Sequence, residues 1–298
     1  MKQIYLIFFG VAALAFASCS HGNGEYDASG AFEATEIIVS SEANGKIERF
    51  DVTEGQQLQQ GQQVGAIDST QLYLQMMSLR TNARGVRAQA PNINTQTAAI
   101  EEQIQTLQRE RERTQNLIKA NAANRKQLDD INAQIDVLQK QLSAQTSSLQ
   151  KSSASISAQS SSIDIQAAQL QDRLDKCRIT SPISGTVLNK YAEQGELAGM
   201  GTPLFKIADT QHMFLRAYVT NDQLAQLKLG DTVKVLTDAG DGSMKPYNGT
   251  ISWISDKSEF TPKTIQTKNE RANLVYAIKI AVKNDGFLKI GMYGEVKF

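Results

Sequence analysis

The sequence predicts an α+β chain in which a long antiparallel α-helical hairpin interrupts a small β-sandwich, with a second β-rich domain behind it. Three observations carry this. Glycines and short apolar segments recur at a constant offset of 140 residues, pairing Gly45 with Gly185, Gly55 with Gly195 and Gly61 with Gly201. Between the two copies, apolar residues recur every seven positions. From Tyr73 to Tyr191 no Phe, Tyr or Trp intervenes, which suits a thin rod better than a thick core. The division that follows is 1–18, 19–43, 44–68 with 178–209, 69–177 and 210–298.

The N-terminus reads as a targeting segment. Lys2 precedes an apolar run from Ile4 to Ala17, and Ala17-Ser18 then precede Cys19. A positive start, a short apolar run and a small-residue end describe a secretory signal peptide over 1–18. The run is shorter than the roughly 20 residues of a membrane span. Phe16-Ala17-Ser18-Cys19 resembles a bacterial lipobox, in which the cysteine is acylated; an ordinary cleaved signal with an incidental Cys19 is the alternative. Residues 20–30 read as a flexible tether. Cys177 is the only other cysteine and reads as a small apolar residue at a helix end.

Composition narrows the chemistry. The 31 Lys and Arg balance 31 Asp and Glu, so no overall field draws the chain to nucleic acid. His21 and His212 are far apart with no adjacent Asp or Glu, leaving little for a metal site or an acid–base pair. No nucleophile–base–acid set stands out, so no catalytic residue, metal or cofactor is expected.

The repeat builds the sandwich. Val64 matches Leu204 and Ile67 matches Ile207, with Asp68 and Asp209 close behind. Each half, about 25 residues of short strand segments and turn glycines, is too small to bury a core alone, so the halves should pair. The pattern resembles a lipoyl/biotinyl-type sandwich, with Gly45, Gly55, Gly61, Gly185, Gly195 and Gly201 at its turns. The hairpin that presents a modified Lys in carrier proteins is replaced here by the insertion. What is left is a clamp bringing the insertion's ends together.

The insertion reads as an antiparallel coiled coil. One track runs Leu72, Leu79, Val86, Ile93, Ile100, Leu107, Thr114, and a second Met76, Ala83, Ala90, Thr97, Ile104, Arg111, Ile118. Pro91 keeps the register, which predicts a kink. The returning arm runs Leu128, Ile135, Leu142, Leu149, Ile156, Ile163, Leu170, Cys177. Its companion track starts apolar at Ile131 and Leu138, then turns polar at Gln145, Ser152, Gln159, Gln166 and Arg173. Tolerance in a long rod and packing of the Ser-rich stretch 147–162 against a neighbouring protomer are both open. The far turn falls at 120–123, with Asn124 capping the second helix and Gln127 completing a capping box.

The C-terminal part predicts strands over 213–219, 232–236, 249–254, 274–282 and 294–298 around a short helix at 221–227.

The order of lipobox, half-sandwich, hairpin, half-sandwich and β-rich tail resembles the HlyD-like periplasmic adaptor, or membrane fusion protein, family in its lipoprotein form. Phe260-Thr261-Pro262-Lys263-Thr264-Ile265-Gln266-Thr267, followed by Glu270-Arg271, resembles the subgroup associated with ABC exporters. The resemblance implies a lipoyl-like β-sandwich bearing a coiled-coil hairpin, followed by a β-barrel domain. It also implies a periplasmic protein anchored by lipid to the inner membrane of a Gram-negative bacterium. Its implied partners are an ABC-type inner-membrane transporter, a TolC-like outer-membrane channel and further copies of itself in a hexamer. In adaptors that dock such a channel, the tip resembles Arg-x3-Leu-x6-Ser; Arg113, Leu117 and Asn124 stand at those spacings, with Asn in place of Ser. Otherwise Arg113 is one of several solvated charges and Leu117 flanks the seam. A passive coiled-coil spacer and a lipoyl or biotinyl carrier are the competing functions.

Overall fold

The computed structural model describes residues 26–240, 242–260 and 274–298. Cys19 and His21, and the segment 261–271 that carries most of the subgroup resemblance, lie outside the described residues.

In chain order the elements are β1 (Ala28–Ser40), β2 (Gly45–Phe50), β3 (Gln57–Leu58), β4 (Gln63–Ile67), α1 (Thr70–Arg87), α2 (Ile93–Lys119) and α3 (Arg125–Lys176). Then come β5 (Arg178–Thr180), β6 (Gly185–Lys190), β7 (Leu197–Ala198), β8 (Pro203–Val219), α4 (Asn221–Leu224), β9 (Thr232–Asp238), β10 (Met244–Phe260), β11 (Leu274–Lys283) and β12 (Tyr293–Lys297).

Two β bodies share two strands. Strands β1-β12-β9-β10-β11-β8 run in that order, and β8 pairs again with β1, closing a six-stranded antiparallel barrel. Its inward residues, among them Phe32, Leu215, Val235, Ile278 and Ile280, form one core. Beyond the barrel, β8 pairs with β6 and β6 with β3, and a second sheet runs β5-β4-β2-β7. Ile47, Val64 and Ile179 of that sheet share a separate core with Leu58, Val187 and Phe205 of the first. Strands β1 and β8 thus run through both bodies, and the boundary expected at 209/210 falls inside β8. Length explains this: at about 3.3 Å per residue, the 17 residues of β8 are long enough for two small domains in series.

The helices differ from expectation in two places. Pro91 does not kink one long helix: α1 ends at Arg87 and α2 begins at Ile93. Proline has no amide hydrogen to donate and pushes the preceding residue out of helical geometry. Asn92 then starts α2 afresh, its side chain accepting from the Thr95 amide at 3.2 Å. The second difference is in α3. Its inward side runs Leu128, Ile131, Ile135, Leu138, Leu142, then Thr146, Leu149, Ser153, Ile156, Ser160, Ile163, Ala167, Leu170 and Leu174, all buried or half-buried. Gln145, Ser152, Gln159, Gln166 and Arg173 are exposed. Two four-residue steps meet at Leu142, an insertion that shifts the companion track by one position and locally unwinds the pairing. The polar companion track therefore faces solvent, and small residues take its place inside.

The arms are antiparallel. Arg80 donates to Gln171 at 3.3 Å, and Arg87 is bonded to Asp164. Seven residues up α1 correspond to seven down α3. At 52 residues and about 1.5 Å each, α3 is about 78 Å long.

Candidate functional site: the clamp and the hairpin tip

The clamp is an approximate two-fold exchange between the repeat halves. The Gly55 amide donates to the Val187 carbonyl, and the Gly195 amide to the Ile47 carbonyl, both at 2.9 Å. The Gly61 amide donates to Ser181 O, and the Gly201 amide to Ser41 O, both at 2.8 Å. All four glycines have positive φ, between 77° and 99°, where a side chain is strained. Gly45 and Gly185 serve close approach instead: a Cβ on Gly185 would lie 2.2 Å from Ala208 O, and one on Gly45 2.8 Å from Ile67 Cγ2. The structure thus brings all six glycines into one sandwich.

Sequence reasoning passed over two further members. Ser41 Oγ donates to Ala43 O at 2.6 Å, and Ser181 Oγ to Ile183 O at 2.7 Å, both serines being buried. They stand at the same 140-residue offset, so the signal was present but lacked the conspicuousness of glycine.

The exits of the two halves also correspond. At the first, Asp68 accepts from the Thr70 amide at 3.0 Å as α1 begins; that bond, with one from the Thr70 side chain, lowers its pKa. At the second, Asp209 accepts from the Gln211 amide at 3.0 Å as β8 leaves the sandwich. His212 is not isolated from carboxylates: its Nδ1 lies 2.9 Å from Asp209 Oδ2. Desolvation opposes ionisation of Asp209, but the His212 ring and amide and the Gln211 amide outweigh it and hold its pKa below the ordinary value. Cys177 closes α3 inside the sandwich core, where burial pushes its thiol pKa up.

At the far end, α2 finishes with the amides of Ala120 and Ala122 both donating to Leu117 O, at 3.1 and 2.8 Å. Asn121 takes a positive φ of 58°, which reverses the chain. Asn124 caps α3, but its side chain accepts from the Lys126 amide at 3.0 Å, and no box with Gln127 forms. Arg113 and Leu117 lie one turn apart on α2, both exposed, Leu117 being 43% accessible. The structure therefore brings Arg113, Leu117 and Asn124 to one end of the rod, some 78 Å of helix away from the clamp.

Among the described residues no cluster of three His, Cys, Asp or Glu could hold a metal ion, and no helix is long and apolar enough to cross a membrane. Geometrically the assembly is a clamp, a rod and an exposed tip.

Residues 35–210 match the family model of the barrel-sandwich hybrid domain of RND membrane fusion proteins (RND MFP). The chain belongs to this membrane fusion protein family. A UPF0194 membrane protein of Yersinia pseudotuberculosis serotype O:3 is 36% identical over 130 residues, 43% of this chain and 38% of that protein. The UPF0194 membrane protein YbhG of Salmonella paratyphi B is 35% identical over 126 residues, 42% of this chain and 38% of its own. The match thus spans well under half the length of these relatives. Among solved structures, MacA from Actinobacillus actinomycetemcomitans superposes with a TM-score of 0.53 at 20% identity, covering 91% of this chain and 76% of MacA. A MacA-MexA chimera carrying the Pseudomonas aeruginosa MexA alpha-hairpin domain gives 0.53 at 21% identity, over 90% of this chain and 78% of the chimera. At such identities the likeness is one of fold.

Proposed function

We propose that the chain is the periplasmic adaptor subunit of a tripartite efflux or secretion system. It links an inner-membrane exporter of the ABC type to a TolC-like outer-membrane channel, as a ring of six copies held to the inner membrane by lipid on Cys19. The observation that carries this is the clamp: both ends of the hairpin are locked into one sandwich, so the tip is held at a defined distance from the sandwich. Membership of the membrane fusion protein family supports the same reading. Arg113, Leu117 and Asn124 then offer a cation, an apolar knob and a polar group to the channel, weak contacts that a ring multiplies.

Two variants test this. Leu117→Asp should cut export at least tenfold while leaving helix content and melting temperature unchanged, because the side chain is exposed. Normal export with Leu117→Asp, and no channel protein captured by crosslinks at the tip, would remove the docking role. Cys19→Ser should move the protein from the membrane to the soluble periplasmic fraction or leave the signal uncleaved; an unchanged membrane fraction with normal processing removes the anchor.

A further inference from the structure

The barrel and the sandwich have separate hydrophobic cores. Among the described residues the chain crosses between them only along β1 and β8. On β1 the crossing is uninterrupted: Ala34 pairs with Met213, and the next residue, Thr35, pairs with Asp209. On β8 three residues, Thr210, Gln211 and His212, are looped out between those partners. A bulge of this kind bends its strand and increases the local twist, and a two-stranded ribbon resists neither strongly.

Two residues, one from each body, hold backbone groups of the bulge. Asp209, the last paired residue of the sandwich, accepts from the Gln211 and His212 amides at 3.0 and 3.2 Å and holds the His212 ring. Asn284, at the end of β11 in the barrel, takes the other half. Its side chain donates to Thr210 O at 2.8 Å and its amide to Gln211 O at 2.9 Å. Open clefts flank the bulge on both sides. One of about 680 Å³ lies between Gln57–Gln62 and Asp209–His212, and one of about 870 Å³ between Leu188 and Lys283–Ile290. The buried cores on either side stay separate, and small domains that share no large hydrophobic interface move relative to each other by default.

We propose that residues 209–212 form the hinge between sandwich and barrel, with Asp209 as the clasp that holds one setting of the angle. Its effect is amplified by the rod. A turn of about 10° at the hinge carries the end of a 78 Å arm through about 14 Å. The device rests on the bulge and its clefts, whichever proteins the two ends engage.

Spin labels on the full mature chain test it by pulsed distance measurement, with Cys177 buried and contributing little background. Labels at Gln60 and Lys234 report the angle between sandwich and barrel, and labels at Lys46 and Gln60 report the sandwich alone. Asp209→Ala should at least double the width of the Gln60–Lys234 distribution and leave the Lys46–Gln60 width and the melting temperature unchanged. Asp209→Asn, which keeps an oxygen for both amides, should restore the narrow distribution. Identical Gln60–Lys234 widths with and without Asp209, or equal broadening of the Lys46–Gln60 pair, overturn the proposal.

Discussion

The sandwich and the hairpin are built from similar apolar residues, yet they bury them to different depths. In the sandwich, Leu204, Phe205 and Ile207 are completely enclosed, and Phe205 packs its ring 6.1 Å from that of Phe50. In the hairpin only Ala83 is fully enclosed; Ile104 and Leu149 keep some exposure, and Thr97, Thr114 and Ser160 occupy buried positions. Two facing sheets surround a side chain on every side. Two helices cover it from one side only, and the outer edge of each inward residue meets water. The rod therefore gains less per residue and depends on the clamp to hold its ends together. Its ion pairs do not change this, since Arg87–Asp164 and Lys176–Asp172 are exposed and of the kind that contributes about 0–1 kcal/mol.

The largest effect should come from Phe205→Ala, at about 3–5 kcal/mol. Leu149→Ala in the hairpin, 9% exposed before truncation, should cost about 2 kcal/mol, the low end for such a change. Chemical denaturation measures both, and equal losses would break the comparison. Loss of the sandwich should also release the hairpin, so with Phe205→Ala the helical signal at 222 nm should fall together with the sandwich.

Acid sharpens the contrast from the barrel side. Hydrogen bonds from Lys245 and from the Phe287 amide lead the causes that hold the Asp285 pKa down to about 2, from an ordinary value of 3.8. A carboxylate depressed in the folded state contributes stability above its unfolded pKa, and loses it as pH falls through the folded value. The barrel should therefore weaken between about pH 4 and pH 2. The single Trp, Trp253 on β10, reports the barrel separately from the helical signal. Asp285→Asn should flatten the fluorescence-detected acid dependence; an unchanged acid transition would show that Asp285 does not contribute.

The smallest effect is expected at Ser160. Its hydroxyl donates to Ser157 O one turn earlier on its own helix at 3.0 Å, with nothing across the seam. Ser160→Ala removes a polar group and leaves that carbonyl in its helix ladder, so the melting temperature should stay level or rise slightly. A loss above about 1 kcal/mol would mean that the serine track has a partner the single chain lacks, such as a neighbouring copy.

What was legible came from local physics. Glycine takes the left-handed turns at Gly55, Gly61, Gly195 and Gly201 with the least strain, so spacing carries the repeat. A seven-residue apolar period identifies helices, and Asn124 at a helix start identifies the reversal. The fine choices were not legible. Position 145 or 146 could each have continued the α3 seam, because both are polar; only packing against the opposite arm selects Thr146 and places the phase shift at Leu142. His212 appeared to lack a carboxylate because three residues along an extended strand put two side chains far apart. A bulge brings Asp209 back to it.

The amino-acid sequence by itself determined the parts: two matched half-sandwiches, two long arms, a turn with its cap, and a β-rich tail. Each rests on interactions within a few residues, or on a repeat that composition exposes. Only the tertiary structure decided how the parts join. It ran β1 and β8 unbroken through two bodies, inserted Thr210–His212 on one strand alone, and gave each half of the bulge's hydrogen bonds to a different body. Strand register depends on which partner a strand finds, and β1 finds one 163 to 189 residues away along the chain. No local pattern encodes that choice, because it is settled by closing the barrel and burying two cores together.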